Sequence, residues 1–133
     1  MTAIRRIQPE GIFASPAYTH VVTAESGQTV YISGQVATAP DGTVVGAGDL
    51  GAQTTQVMRN LQTALASVGA TFADVVKITT FVVGYRPEHR AVISAARSVF
   101  FPPGAPPAST LLGVEALAAP DWLIEIEAVA VIN

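Results

Sequence analysis

A chain of 133 residues is long enough for one domain with its own core and too short for two ordinary ones. Half of it is apolar and only 13% is charged, against roughly 25% in an average soluble domain. Such a surface has too little charge to be wholly solvated, so burial of part of it in an oligomer is expected.

Cysteine is absent, which excludes disulfides, a thiol nucleophile and cysteine-held metal. Two distant histidines make no metal site, and no cofactor is expected. Seven basic against ten acidic residues leave a net charge of −3, with no basic cluster larger than Arg5-Arg6, so no nucleic-acid partner is expected. No apolar run approaches the roughly 18 residues that span a bilayer, and the opening MTAIRRIQPEG has no apolar segment after its arginines. No membrane association and a cytoplasmic location are the expectation.

In chain order, residues 3–7 read as a short strand closed by Pro9 and Gly11, and residues 11–16 as loop. Residues 18–23 (YTHVVT) and 29–33 (TVYIS) read as two strands of a hairpin, joined by the Glu25-Ser26-Gly27 turn. Gly34 follows at once, either an ordinary bulge or a place where a ligand approaches the backbone. From Asp49 the period becomes helical: Leu50, Thr54, Val57, Leu61, Leu65 and Val68 form a stripe, with Asp49 as cap and Gly69 as stop. Arg59, Asn60 and Gln62 fall off the stripe and read as solvated.

Residues 75–83 (VVKITTFVV) read as a strand covered on both faces, with Lys77 reaching to an edge or meeting a carboxylate. Pro87 opens a second helix whose buried stripe is expected to be Val92, Ile93, Ala96, Val99 and Phe100, and Pro102-Pro103 stops it. Residues 109–114 form a short strand and residues 118–121 the turn before the last one.

That last strand carries the chemistry. Leu123, Glu125, Glu127, Val129 and Val131 alternate with Ile124, Ile126, Ala128, Ala130 and Ile132. Successive strand residues face opposite ways, so both carboxylates share one row while the other row is wholly apolar and belongs in the core. A carboxylate on such a strand must be paired, hydrated or neutral. Either both glutamates are solvated or cross-paired, or one holds and activates a water in a cleft. The element order predicts an α+β domain over residues 1–133, a mixed sheet with two helices on one face. The other face is left for sister subunits.

Pro16 with Tyr18-Thr19-His20, Tyr31-Ile32-Ser33-Gly34-Gln35, the helix around 56–65, Asp74-Val75-Val76-Lys77, Phe100-Phe101-Pro102 and Ile124-Glu125-Ile126-Glu127-Ala128 follow one another at spacings that resemble the Rid family. The family is also called YjgF or reactive-intermediate deaminase, and is often labelled L-PSP endoribonuclease. The resemblance covers nearly the whole chain. It implies a chorismate-mutase-like sandwich assembled as a homotrimer, with small-molecule clefts between subunits.

By the same resemblance the water-positioning glutamate is Glu125, and the cleft carries Tyr18, Ser33 and Gly34. A cleft asparagine of some members aligns with Ser94. One departure stands out: the arginine with which RidA-type members grip a substrate carboxylate aligns with Ser109, or with Ala108 one residue earlier. A hydroxyl there, with Thr110 beside it, offers hydrogen bonds and no charge.

The implied function is hydrolysis of a reactive enamine, imine or related small C=N metabolite by a water that Glu125 positions. Recognition would then use neutral groups, or another arginine such as Arg5, Arg90 or Arg97. The alternative is a non-catalytic trimer that binds a small metabolite or a partner protein. Ribonuclease activity rests on the family label alone.

Overall fold

A computed structural model describes residues 3–133; residues 1 and 2 of the expected single domain lie outside the described residues. The elements are β1 (Ile4–Ile7), β2 (Val21–Ala24), β3 (Gln28–Gln35), α1 (Leu50–Ala66), β4 (Val75–Val83), α2 (His89–Ser98), β5 (Ala108–Val114) and β6 (Ile124–Ile132). Four strands form the main sheet in the order β3-β6-β4-β5. β6 is antiparallel to both neighbours and β4 is parallel to β5, with α2 as their crossover, so the sheet is mixed as the element order predicts.

The expected hairpin is not formed. β2 pairs with β1 in a separate two-stranded ribbon, while β3 pairs with β6, almost a hundred residues further on. The bend at Ser26 and Gly27, with Gly27 at φ 113°, carries the chain from one sheet to the other. Beside β6, Val30 and Ile32 align with Ala130 and Ala128 over the core. A lone two-stranded hairpin would have left them wet. Tyr18 to His20 lie before β2, outside any strand.

α1 follows its pattern. The Asp49 carboxylate accepts from the Ala52 amide at 3.0 Å, and Ala70 N–H donates to the Leu65 carbonyl beyond the helix end, where Gly69 takes φ 74°. Val57, Met58, Leu61 and Leu65 are fully buried against the sheet. Val68 is exposed because α1 ends at Ala66. Arg59 and Gln62 are exposed as expected, but Asn60 is not a solvated residue. Its amide nitrogen donates to the carbonyls of Val36 (3.0 Å) and Thr38 (3.1 Å), tying the loop after β3 to the helix.

α2 buries less than its stripe predicts. Of Val92, Ile93, Ala96, Val99 and Phe100 only Ile93 is fully enclosed, and Val92 and Val99 are exposed. A helix of ten residues touches the core along a single line, and Val99 falls just past its last turn. β6 is the central strand that periodicity predicts: Ile124, Ile126, Ala128 and Ala130 are buried. Among the described residues no helix is long and apolar enough to cross a membrane, and no group of three or more His, Cys, Asp or Glu is placed to hold a metal.

Candidate functional site

Glu125 stands on the side of the sheet opposite the helices, half-buried, between the buried Ile124 and Ile126. Its place is made by β3. Ile32 pairs with Ala128 and Gln35 with Ile126, so Ser33 and Gly34 together oppose the single residue Glu127, a bulge. The bulge turns the Gly34 Cα toward Glu125. A methyl group on Gly34 would come within 2.6 Å of the Glu125 Cδ and 2.8 Å of its Cγ, closer than real contacts allow. Gly34 keeps a negative φ, so glycine is required there for space and not for backbone freedom. The bulge reading of Gly34 holds, and what comes close to its backbone is the Glu125 side chain.

A buried glutamine holds the start of β6. Gln53, fully enclosed on α1, accepts from the Leu123 amide at 2.9 Å and donates to the carbonyls of Asp121 (2.9 Å) and Gly46 (3.3 Å). Two residues later β6 presents Glu125. Glu127 is exposed and aligned with Thr79 of β4, which in turn aligns with Thr110 of β5. Thr110 is engaged: its hydroxyl accepts from the Lys77 ammonium at 2.7 Å. Lys77 thus meets a hydroxyl and not a carboxylate.

The remaining site residues gather at the start of β5. Thr19 donates through its amide to Pro107 O (3.0 Å) and through its hydroxyl to Pro106 O (2.6 Å), which fixes Tyr18 and its neighbours beside that strand. Tyr18 is half-buried, its ring edge-on to His20 at 5.1 Å. His20 Nε2 lies 2.6 Å from the Phe13 carbonyl, the contact of a structural histidine. His89 likewise serves its own turn, its Nδ1 accepting from the Arg86 amide at 3.0 Å. Trp122 packs half-buried before β6 with an enclosed, unpartnered Nε1.

Ser109 aligns with Ile78, a core residue, and so shares the helix-facing side of the sheet, whereas Thr110 shares the open side with Glu125. The helix-facing side opens at Pro107 and at Ile78, the register partner of Ser109, into a cavity of about 560 Å³. Pro16 and Ala17, Ser94, Arg97 and Ser98 of α2, Ile78 and the prolines flanking Phe101 and β5 line it. Of the three arginines the sequence offers, Arg5 and Arg90 are exposed, and Arg97 is half-buried. Its Nη1 donates to the Thr80 hydroxyl at 3.3 Å, and burial pushes its pKa down from the usual arginine range.

One chain therefore does not assemble the predicted site. Glu125 with Ser33 and Gly34 lies between β3 and β6, while Ser109, Thr110 and the Tyr18 loop lie at the β5 edge. From the register, Glu125 and Thr110 stand about 12 Å apart, two strand spacings across and two residues along. The predicted site residues thus fall into two halves on one chain. Sequence reasoning missed Gln53 and Asn60, whose only signal was polarity on or beside an apolar stripe.

The chain belongs to the endoribonuclease L-PSP family, the Rid or YjgF family, whose profile matches residues 10–132. Among solved structures it is similar to YyfB, a Rid-family protein of Yersinia pestis. The two are 45% identical, with a TM-score of 0.92, over 97% of this chain and 98% of that one. RidA from the Antarctic bacterium Psychrobacter is 28% identical with a TM-score of 0.70, over 81% of this chain and 84% of that one. Among characterised proteins it is 33% identical to DfrA of Myxococcus xanthus over 86% of this chain and 84% of that protein.

Proposed function

We propose that the protein is a hydrolytic deaminase of reactive imines and of enamines that tautomerise to them, working in clefts between the subunits of a homotrimer. The carrying observation is the carboxylate of Glu125 on the open side of the sheet, in a place that Gly34 clears for it. Family membership supports the same reading. The oxygen of a water held by Glu125 adds to the C=N carbon while the carboxylate takes one of its protons. That proton passes to nitrogen, and as the C–N bond of the tetrahedral adduct breaks the hydroxyl proton also moves to nitrogen, so that ammonia leaves as C=O forms. One water is consumed, and no electron acceptor is needed.

The separation of the half-sites supports the trimer, since a second copy is what would bring a β5 edge to Glu125. Tyr31, 81% exposed, and Leu112 lie on the same open side and suit a subunit contact. Tyr18, Ser33, Ser109 and Thr110 are proposed as substrate-orienting groups. Ribonuclease action is not part of the reading: a net charge of −3 offers the phosphate backbone no basic stripe.

The test is ammonia release from freshly generated imines, with and without a carboxylate, by wild type and Glu125→Ala. Release by the wild type, reduced roughly 100-fold or more in the variant at unchanged melting temperature, is expected. Background release from folded, trimeric wild type across both sets would end the deaminase reading. It would leave the alternative, a non-catalytic trimer that binds a small metabolite or a partner, which the serine at the arginine position favours.

A further inference from the structure

Arg97 is a cation without a counter-ion. Among the described residues the only hydrogen bond of its side chain is to Thr80, and it makes no ion pair, so most of its five N–H donors have no protein acceptor. An arginine held half out of water in that condition is unfavourable by itself. The chain nevertheless opens a half-enclosed cavity beside it. Ser94, Arg97 and Ser98 recur at three- and four-residue spacing on one side of α2 and all line the cavity of about 560 Å³. The opposing walls are Pro16, Phe101 and the prolines flanking it and β5. Proline has no N–H to donate and the Ala17 amide is already bonded to the Ser15 hydroxyl at 3.1 Å, so the side-chain donors lining the cavity are those of α2.

We infer that this cavity is an oxyanion site, in which Arg97 grips the carboxylate of a small ligand with a two-pronged hydrogen bond while Ser94 and Ser98 supply hydroxyls. A guanidinium matches a planar carboxylate in this geometry, and the proline and Phe101 wall opposite lowers the local dielectric on one side of the charged pair. The volume suits a small metabolite. Resting on the deaminase reading, this names the substrate class: the chain takes carboxylate-bearing imines even though β5 carries Ser109, because the anchoring charge arrives from α2. Arg97 and Ser109 lie on the helix-facing side and Glu125 on the open side, so one ligand reaches both only when Glu125 comes from a second subunit meeting the β5 edge.

The inference is tested apart from turnover by titrating the full-length protein with pyruvate and with its uncharged amide, following backbone amide signals of residues 94–99 by NMR. Pyruvate is expected to shift them, with at least tenfold weaker binding of the amide. Arg97→Gln should weaken pyruvate at least tenfold without changing the amide, and Arg97→Lys should fall between, as a point charge without the fork. Arg97→Gln should also melt no lower than wild type, since it removes an unpaired charge. Pyruvate binding within twofold of wild type in folded Arg97→Gln would overturn the inference. Loss of pyruvate binding in Arg97→Gln alongside a wild type that releases no ammonia would keep the oxyanion site and reject the deaminase reading.

Discussion

The side chain of Glu125 lies over the Cα of Gly34, in the space where any other residue at position 34 would carry its Cβ. A strand bulge on β3 and a carboxylate on β6 are thereby one unit, and the orientation of the carboxylate depends on the absence of a methyl group.

Gly34→Ala should therefore act on Glu125 and not on the fold. The backbone at Gly34 is one that alanine adopts without strain, while the added Cβ would lie 2.6 Å from Glu125 Cδ and force the side chain to another rotamer. Ammonia release should fall roughly 100-fold, about as far as in Glu125→Ala, with the melting temperature shifted by only about a few degrees. The double variant should be no worse than either single one. Additive losses would show that Gly34 acts otherwise.

Gln53→Leu should destabilise the protein. The substitution keeps the volume but strands the Leu123 amide and the Asp121 and Gly46 carbonyls that Gln53 now satisfies. Stranded buried groups of this kind cost about 1–3 kcal/mol each, and with partial rehydration a total loss of roughly 2–4 kcal/mol in urea unfolding is expected. A change below about 0.5 kcal/mol would mean that water replaces all three bonds.

Assembly should depend on the open face of the sheet. Wild type is expected at three times the 13.7 kDa chain mass by light scattering. Tyr31→Asp, which puts a charge at an 81% exposed aromatic on that face, should give a folded monomer. A variant still at the trimer mass would place the contact elsewhere.

The turn after β3 should show its own pH response. The Thr43 hydroxyl and amide donate to the Asp41 carboxylate at 2.7 and 3.0 Å, and these bonds hold its pKa below the ordinary 3.8. Because the folded value is depressed, the contribution is full well above 3.8 and is lost as pH falls through the lower folded value. A carboxyl-detected NMR titration should find Asp41 below 3.8 in wild type and closer to it in Thr43→Ala. Identical curves would remove the hydroxyl as the cause.

What was legible in the sequence was periodic or local. Alternation along β6 separated the buried Ile124, Ile126, Ala128 and Ala130 from Glu125 and Glu127, because a strand's two faces are written in its odd and even positions. The α1 stripe and its Asp49 cap were equally plain, since both depend on residues within a turn of one another. The family resemblance added which of the two glutamates to follow.

Only the tertiary structure decided partners. Periodicity names a face and not what lies against it, so the 18–23 and 29–33 segments read as a hairpin until β3 was seen to pair with β6. Gln53 and Asn60 are polar residues whose acceptors lie in distant loops, and no local pattern distinguishes them from solvated ones. The same limit governs the site. That Ser109 and Glu125 face opposite ways, and that Arg97 of α2 borders a cavity with Ile78, the register partner of Ser109, follows from strand register and helix packing, which come into being only when segments far apart in the chain meet.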